Sequence, residues 1–158
     1  MLHIMNKEKD NDMHGRVRKN TSDKANRRID RNILMNIGKY RDYSDDEIAN
    51  RLDVLRKEWD IEKTLEVNAS ALALTGVVLG AFVNRRWLIL SGIVTSFLFQ
   101  HGIQGWCPPL PLFRAMGIRS RQEIDEEKYA LKILRGDFDY ASSKMSSKKL
   151  LKLLRKKD

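Results

Sequence analysis

The sequence predicts an all-α protein built on a two-helix transmembrane hairpin, flanked by amphipathic cytoplasmic helices and preceded by a disordered N-terminus. Three observations predict this. Residues 67–106 contain no Asp, Glu, Lys or Arg except Arg85 and Arg86. Asn84-Arg85-Arg86 divides the stretch into two apolar segments, 67–83 and 87–106. The chain on both sides is densely charged and carries helical periodicity with two capping-box signatures.

Whole-chain averages conceal this segregation. A mean hydropathy of −0.50 describes a soluble basic protein, and the 158 residues suit one domain. The net charge of +9 divides as +5 over 1–43, −4 over 44–66, +2 over 67–106, zero over 107–143 and +6 over 144–158. Basicity thus gathers at the two ends. The single cysteine, Cys107, excludes an internal disulfide and a Cys-pair metal site.

The basic region 1–43 opens on a polar stretch, 1–20, of mixed charge and little periodicity, expected to be disordered. It has no signal-peptide pattern, so insertion relies on the internal hairpin. Ile29, Ile33 and Ile37 recur every four residues after Thr21-Ser22-Asp23 and before Gly38, which predicts a short amphipathic helix. Arg27, Arg28 and Arg31 suit nucleic acid or lipid headgroups less well than a solvated face, because no aromatic residues are interleaved for base stacking.

Region 44–66 is an amphipathic helix. Ser44 and Glu47 have capping-box spacing, and Asp45 and Asp46 add charge favourable to a helix N-terminus. Ile48, Leu52, Leu55 and Trp59 form one apolar stripe. No Gly or Pro separates this helix from Val67, so it is expected to run directly into the bilayer. Asp60, Glu62 and Glu66 are expected to form a solvated collar, since nothing nearby would raise a carboxylate pKa for acid-base work.

The hairpin follows from length. One helix through all forty residues of 67–106 would extend about 60 Å, twice a hydrocarbon core of roughly 30 Å. Split at the arginines, the two pieces extend about 25 and 30 Å. Arg85, Arg86, Trp87 and Trp106 are the expected interface anchors, the arginines snorkelling and the indoles lying at the two headgroup levels. Gly76 and Gly80 form one small-x-x-x-small pair and Gly92 and Ser96 another. A fold centred on residue 86 sets 80 against 92 and 76 against 96, so the two faces are expected to meet. A dimer interface between hairpins is the rival use of these glycines. The rival fold is a soluble bundle with these helices at its centre; the second segment, apolar on every side, argues against it.

Gln100, His101, Gln104 and Cys107 form a polar cluster near the end of the second segment. They suit a proton relay, an ion path or, more plainly, interfacial hydrogen bonding. One His and one Cys are too few for zinc, and Cys107 lacks a second cysteine or an evident base. The sequence therefore calls for no cofactor, no metal and no catalytic residue.

Region 107–140 is a proline-rich exit and surface helix. Pro108, Pro109 and Pro111 are expected to impose an extended exit. Ser120 and Glu123 then open a helix marked by Ile124, Leu131 and Leu134 and ended by Gly136. Gly105-Trp106-Cys107-Pro108 and Met116-Gly117-Ile118-Arg119 at the exit of such a hairpin resemble the bacterial YgaP-like inner-membrane domain family, whose function is unknown. Glu58-Trp59-Asp60-Ile61-Glu62, Glu126-Glu127-Lys128-Tyr129-Ala130-Leu131 and Arg135-Gly136-Asp137-Phe138 resemble the flanks of its stand-alone members. The likeness covers about residues 30–140. It implies a membrane-embedded, self-associating helical hairpin in the bacterial inner membrane. No catalytic residue carries over, because the rhodanese part found in fused members is absent.

The tail, 141–158, carries Leu150, Leu151, Leu153 and Leu154 against a basic face from Lys148 to Lys157, the pattern of a surface helix drawn to anionic headgroups. Arg56, Lys57 and Lys63 before the hairpin and Arg114, Arg119 and Arg121 after it outnumber the two turn arginines, which predicts both termini in the cytoplasm. The expected partners are the lipid bilayer and, through self-association, further copies of the chain; nucleic acid is not favoured. A non-enzymatic interaction module is the expected function. The alternative is a small oligomeric pore, holin-like or ion-conducting, for which the scattered Asn68, Ser70, Thr75, Ser91 and Thr95 make a poor polar stripe.

Overall fold

The computed structural model describes residues 13–139 and 145–149. The described chain is all-α, 80% helical and without strands. Its helices are α1 (Met13–Lys19), α2 (Asp23–Lys39), α3 (Asp45–Lys57), α4 (Ile61–Phe82), α5 (Leu88–Gln104), α6 (Leu110–Met116) and α7 (Arg121–Leu134), with 3-10 turns at Tyr40–Asp42 and Arg85–Trp87. The chain divides into two compact units, one of residues 1–29 and 59–121, the other of 30–58 and 122–158.

In the second unit the amphipathic stripes meet. Ile48, Leu52 and Leu55 of α3 pack with Ile124 and Leu131 of α7, all five buried, and Tyr40 closes the cluster. Ser44 and Glu47 make the reciprocal cap that starts α3, with the Ser44 amide donating to Glu47 Oε2 at 2.9 Å. Polar contacts tie the same helices together. The Arg51 guanidinium donates to the fully buried Glu127 carboxylate through Nε at 2.9 Å and Nη2 at 2.6 Å, and Asn36 donates to its other oxygen at 3.3 Å.

In the first unit, α1, α4 and α6 are joined by a core of Val17, Ile61, Leu65, Cys107 and Leu110, with Phe113 and Ile118 packed against it. Val17 belongs to α1, within the stretch expected to be disordered. That expectation is corrected for residues 13–19, which form a helix; residues 1–12 lie outside the described residues. The helix is held through the far end of α5. Arg16 donates to the Ile103 carbonyl and Asn20 to the Gln104 carbonyl at 3.1 Å, satisfying acceptors that every helix C-terminus leaves open.

Four further expectations change. Helix α2 is seventeen residues long and passes through Gly38, which meets no neighbouring atom within 4 Å and so costs only intrinsic propensity. Helix α3 does not run on into α4. Glu58 turns extended, at φ −63° and ψ 136°, and Asp60 caps a new helix by accepting from the Lys63 amide. Trp59 therefore leaves the apolar stripe, and the Lys63 ammonium lies 4.7 Å from its ring centre. The prolines do not extend the exit either. Pro109 is αR and Pro111 falls in the first turn of α6, where a missing N–H costs nothing. The predicted basic tail lies outside the described residues except for 145–149.

Arg114 of α6 is wholly buried, and its charge is spread over local acceptors: Thr21 Oγ1 at 3.1 Å, the Ile118 carbonyl at 3.0 Å and Asn26 Oδ1 at 3.0 Å. Sequence reading had counted Arg114 among the cations that follow the hairpin and set its topology. Its burial joins α6 to Thr21 in the α1–α2 link and to Asn26 of α2.

Candidate functional site

The residues of interest gather in the α4–α5 pair. Helix α4 ends at Phe82, the chain reverses through Val83 and Asn84, and Asn84 Oδ1 accepts from the Arg86 amide at 2.9 Å to start the 3-10 turn. Arg85, Arg86, Trp87 and Trp106, the expected anchors, are all exposed.

Gly76 and Gly80 are buried against α5. A β-carbon at Gly76 would lie 2.9 Å from the Ser91 amide nitrogen and 3.0 Å from the Trp87 carbonyl oxygen. One at Gly80 would lie 2.6 Å from the Leu88 side chain. The expected partners, Gly92 and Ser96, do not meet these glycines. Both are exposed, and nothing lies within 4 Å of a β-carbon on Gly92. The reason is the position of the turn. Pairing 80 with 88 and 76 with 91 centres the reversal on residue 84 rather than 86, which presents Ser91 instead of Gly92 to α4. Ser91 then donates its hydroxyl to the Ala73 carbonyl across the pair.

The hydroxyls of Thr75, Thr95 and Ser96 are satisfied within their own helices. Thr75 donates to the Ala71 carbonyl at 2.8 Å, Thr95 to Ser91 at 2.7 Å and Ser96 to Gly92 at 2.7 Å. The outward surface is apolar, with Leu74, Val77, Phe82, Ile89, Ile93 and Phe99 exposed. Among the described residues one helical stretch, ending at Phe82, is long and apolar enough to cross a membrane, and 17% of its apolar window is buried. Helix α5 has seventeen residues, none of them buried.

The predicted polar cluster divides. Gln100 Nε2 donates to Gln104 Oε1 at 3.3 Å on the surface. His101 and Cys107 turn instead into one cavity of about 260 Å³, walled by Leu65, Leu72, Phe97 and Phe113. Asn68, which sequence reading placed only in a scattered polar series, is the third polar group at this wall, and its amide donates to the Thr64 carbonyl at 2.7 Å. Burial holds the Cys107 thiol above its ordinary pKa, partly offset by its hydrogen bond with the Leu110 backbone. His101 Nδ1 is buried without a hydrogen-bond partner. A second hollow, about 420 Å³, lies at the turn between Val77 and Leu88. It is larger but more open and holds no titrating group except Arg85, so the smaller cavity is the better candidate.

Comparison with protein-family models, curated proteins and solved structures gives no match for this chain. The YgaP-like resemblance therefore rests on its quoted motifs alone. One of these motifs has a local physical reason. Gly105 ends α5 in the left-handed region at φ 70°, where a β-carbon would also lie 2.7 Å from Arg16 Cβ. Cys107, two residues on, then enters the core. Among the described residues no three His, Cys, Asp or Glu side chains gather as a metal site.

Arg16 and Asn20, which brace the end of α5, and Val17, which packs with Ile61, Leu65, Cys107 and Leu110, were invisible to sequence reading. Val17 stands alone among charged residues, and a single apolar position carries no periodicity.

Proposed function

We propose that the chain is an integral membrane protein in which α4 and α5 span the bilayer as a hairpin, with both termini on the cytoplasmic side. One observation carries this reading: along the pair the outward surface is apolar while the hydroxyls of Thr75, Ser91, Thr95 and Ser96 are all bonded to backbone carbonyls. Hydrocarbon supplies no partner for a polar group, so internal satisfaction is what a lipid-facing helix requires. Arg85, Arg86 and Trp87 then lie at one headgroup level and Trp106 at the other. The seventeen residues of α5 extend about 26 Å, a span that a slightly thinned bilayer accommodates.

In this reading the protein is a non-enzymatic, membrane-anchored interaction module of the bacterial inner membrane, in line with the YgaP-like motifs. The exposed Gly92 and Ser96 face is open to a second copy. A conducting pore is less well supported, because the hydroxyls of Thr75, Ser91 and Thr95 are engaged with the backbone. Extraction of membranes at alkaline pH tests the proposal. Retention in the pellet is expected, and release into the supernatant would overturn it.

A further inference from the structure

Helix α6 is built with its polarity reversed. A helix at a protein surface in water turns apolar residues inward and charged residues outward. In α6 the one charged residue, Arg114, is wholly buried, while Leu112 and Met116 are 62% and 67% exposed. Pro111 and Ala115 share the exposed face, and Pro108 and Pro109 extend it back along the chain. None of these six side chains carries a hydrogen-bond donor.

The backbone is closed in the same way. Pro109 and Pro111 have no N–H, and the Leu110 amide donates to the Cys107 carbonyl at 3.1 Å. At the other end the Phe113 carbonyl accepts from the Ile118 amide at 3.1 Å and the Arg114 carbonyl from the Gly117 amide at 3.0 Å. The Ala115 carbonyl accepts from the Arg28 guanidinium. Most of the groups that helix termini leave open are thus withdrawn from the surroundings.

What covers such a face follows from what it offers. A protein partner would find almost nothing to hydrogen-bond, whereas interfaces between chains carry about one hydrogen bond per 100–200 Å². Hydrocarbon asks for none, and requires instead that polar groups be satisfied from within. The face also continues a surface of the same kind: α6 starts just beyond Trp106, and Leu110 anchors it to Ile61 and Leu65 at the base of α4.

We infer that α6 lies in the plane of the membrane, its Pro111, Leu112, Ala115 and Met116 face set among the phospholipid acyl chains of the leaflet that holds Trp106, just below the headgroups. This placement rests on the membrane reading above and adds a second contact surface to the hairpin. Through Arg114, bonded inward to Thr21 and Asn26, the helix also holds the start of α2 to that leaflet.

Spin labels on Leu112→Cys, Met116→Cys and Phe97→Cys test it, in the full chain with Cys107→Ala, reconstituted in nanodiscs of phosphatidylcholine and phosphatidylglycerol. Phe97, midway along the second apolar segment and 39% exposed, reports on the hairpin. Relaxation by oxygen, which concentrates in lipid, against a nickel chelate, which stays in water, gives the depth of each label. Leu112 and Met116 should read about 5–10 Å into the headgroup and acyl boundary, shallower than Phe97. Preference for the nickel chelate at Leu112 and Met116, with oxygen preferred at Phe97, would overturn the inference and leave the membrane reading standing. Exclusion of both reagents at Leu112 and Met116 would show that a protein surface covers the face, and would also overturn it. Nickel preferred at all three positions would refute the membrane reading as well. Where Cys107→Ala loses helicity, Met116→Trp in a chain carrying Trp59→Phe, Trp87→Phe and Trp106→Phe decides instead: quenching by lipids brominated high in the acyl chain is expected, and quenching by aqueous iodide alone would overturn the inference.

Discussion

Gly76 lies against the Ser91 backbone so closely that its missing β-carbon would stand 2.9 Å from the Ser91 nitrogen. A methyl group there meets backbone at 2.9 and 3.0 Å, which cannot swing away, whereas one at Gly80 meets first the Leu88 side chain, at 2.6 and 2.7 Å, and the Leu88 backbone nitrogen only at 3.3 Å. Gly76→Ala should therefore lose about 1–3 kcal/mol to overpacking, against about 1 kcal/mol gained in helix propensity. Gly80→Ala should lose less, and Gly92→Ala, which meets nothing, should be neutral or slightly stabilising. Unfolding of the three variants in one micelle system checks the ranking. A Gly92→Ala variant as damaged as Gly76→Ala would contradict the register.

The Arg51–Glu127 contact yields a second contrast. Glu127 has no exposed side-chain surface, and Arg51 is 21% exposed. Arg51→Ala withdraws two charge-assisted hydrogen bonds from a buried carboxylate and should cost about 1.5–3 kcal/mol. Arg56→Ala, which breaks an exposed i,i+3 pair with Asp53, should leave the melting temperature unchanged within error. Thermal denaturation followed by circular dichroism separates the two.

The cap on α3 gives a pH dependence. The Ser44 backbone amide, and then its hydroxyl, hold the Glu47 carboxyl below the ordinary range. The folded state thus binds the proton less readily than the unfolded one. The stabilisation is complete above the unfolded carboxylate pKa and is lost as pH falls through the lower folded value. Ser44→Ala should be less stable than the parent at pH 7, and the difference should shrink as pH drops below about 4. A difference that grows on acidification would reverse the assignment.

Cys107 should be a sluggish thiol. Burial disfavours its thiolate, the reactive form. Labelling by a water-soluble maleimide at pH 7.5 should be at least about tenfold slower than for free cysteine and should accelerate once the chain is unfolded in denaturant. Equally fast labelling of folded and unfolded protein would show that the thiol does not sit in the Val17, Leu65 and Leu110 core.

Periodicity made the second unit largely legible. Ile48, Leu52, Leu55, Ile124 and Leu131 were marked by spacing alone, and all five are buried. The Ser44 cap was equally local and is present. Errors arose where a tertiary contact or an exact turn geometry decided the outcome. The partner of Gly76 depended on a reversal centred on residue 84 rather than 86, a difference no composition reveals. The α3–α4 break uses Asp60 as a helix cap without Gly or Pro to announce it. Helix α1 exists through contacts with α5, more than eighty residues away in sequence. In the cavity, His101 and Cys107 were marked as polar outliers, but their separation from Gln100 and Gln104 required three-dimensional placement.

The Ile61 amide donates to the Arg119 carbonyl at 2.8 Å. The chain therefore leaves the α4–α6 segment at the place where it came in. Residues 61–119 form a closed loop clasped at its neck, so the segment is topologically an insertion whose removal leaves two ends within splicing distance. The clasp alone does not make the piece portable: a transplant would need α1 as well, because Val17 and the Thr21 and Asn26 partners of the buried Arg114 lie outside the loop.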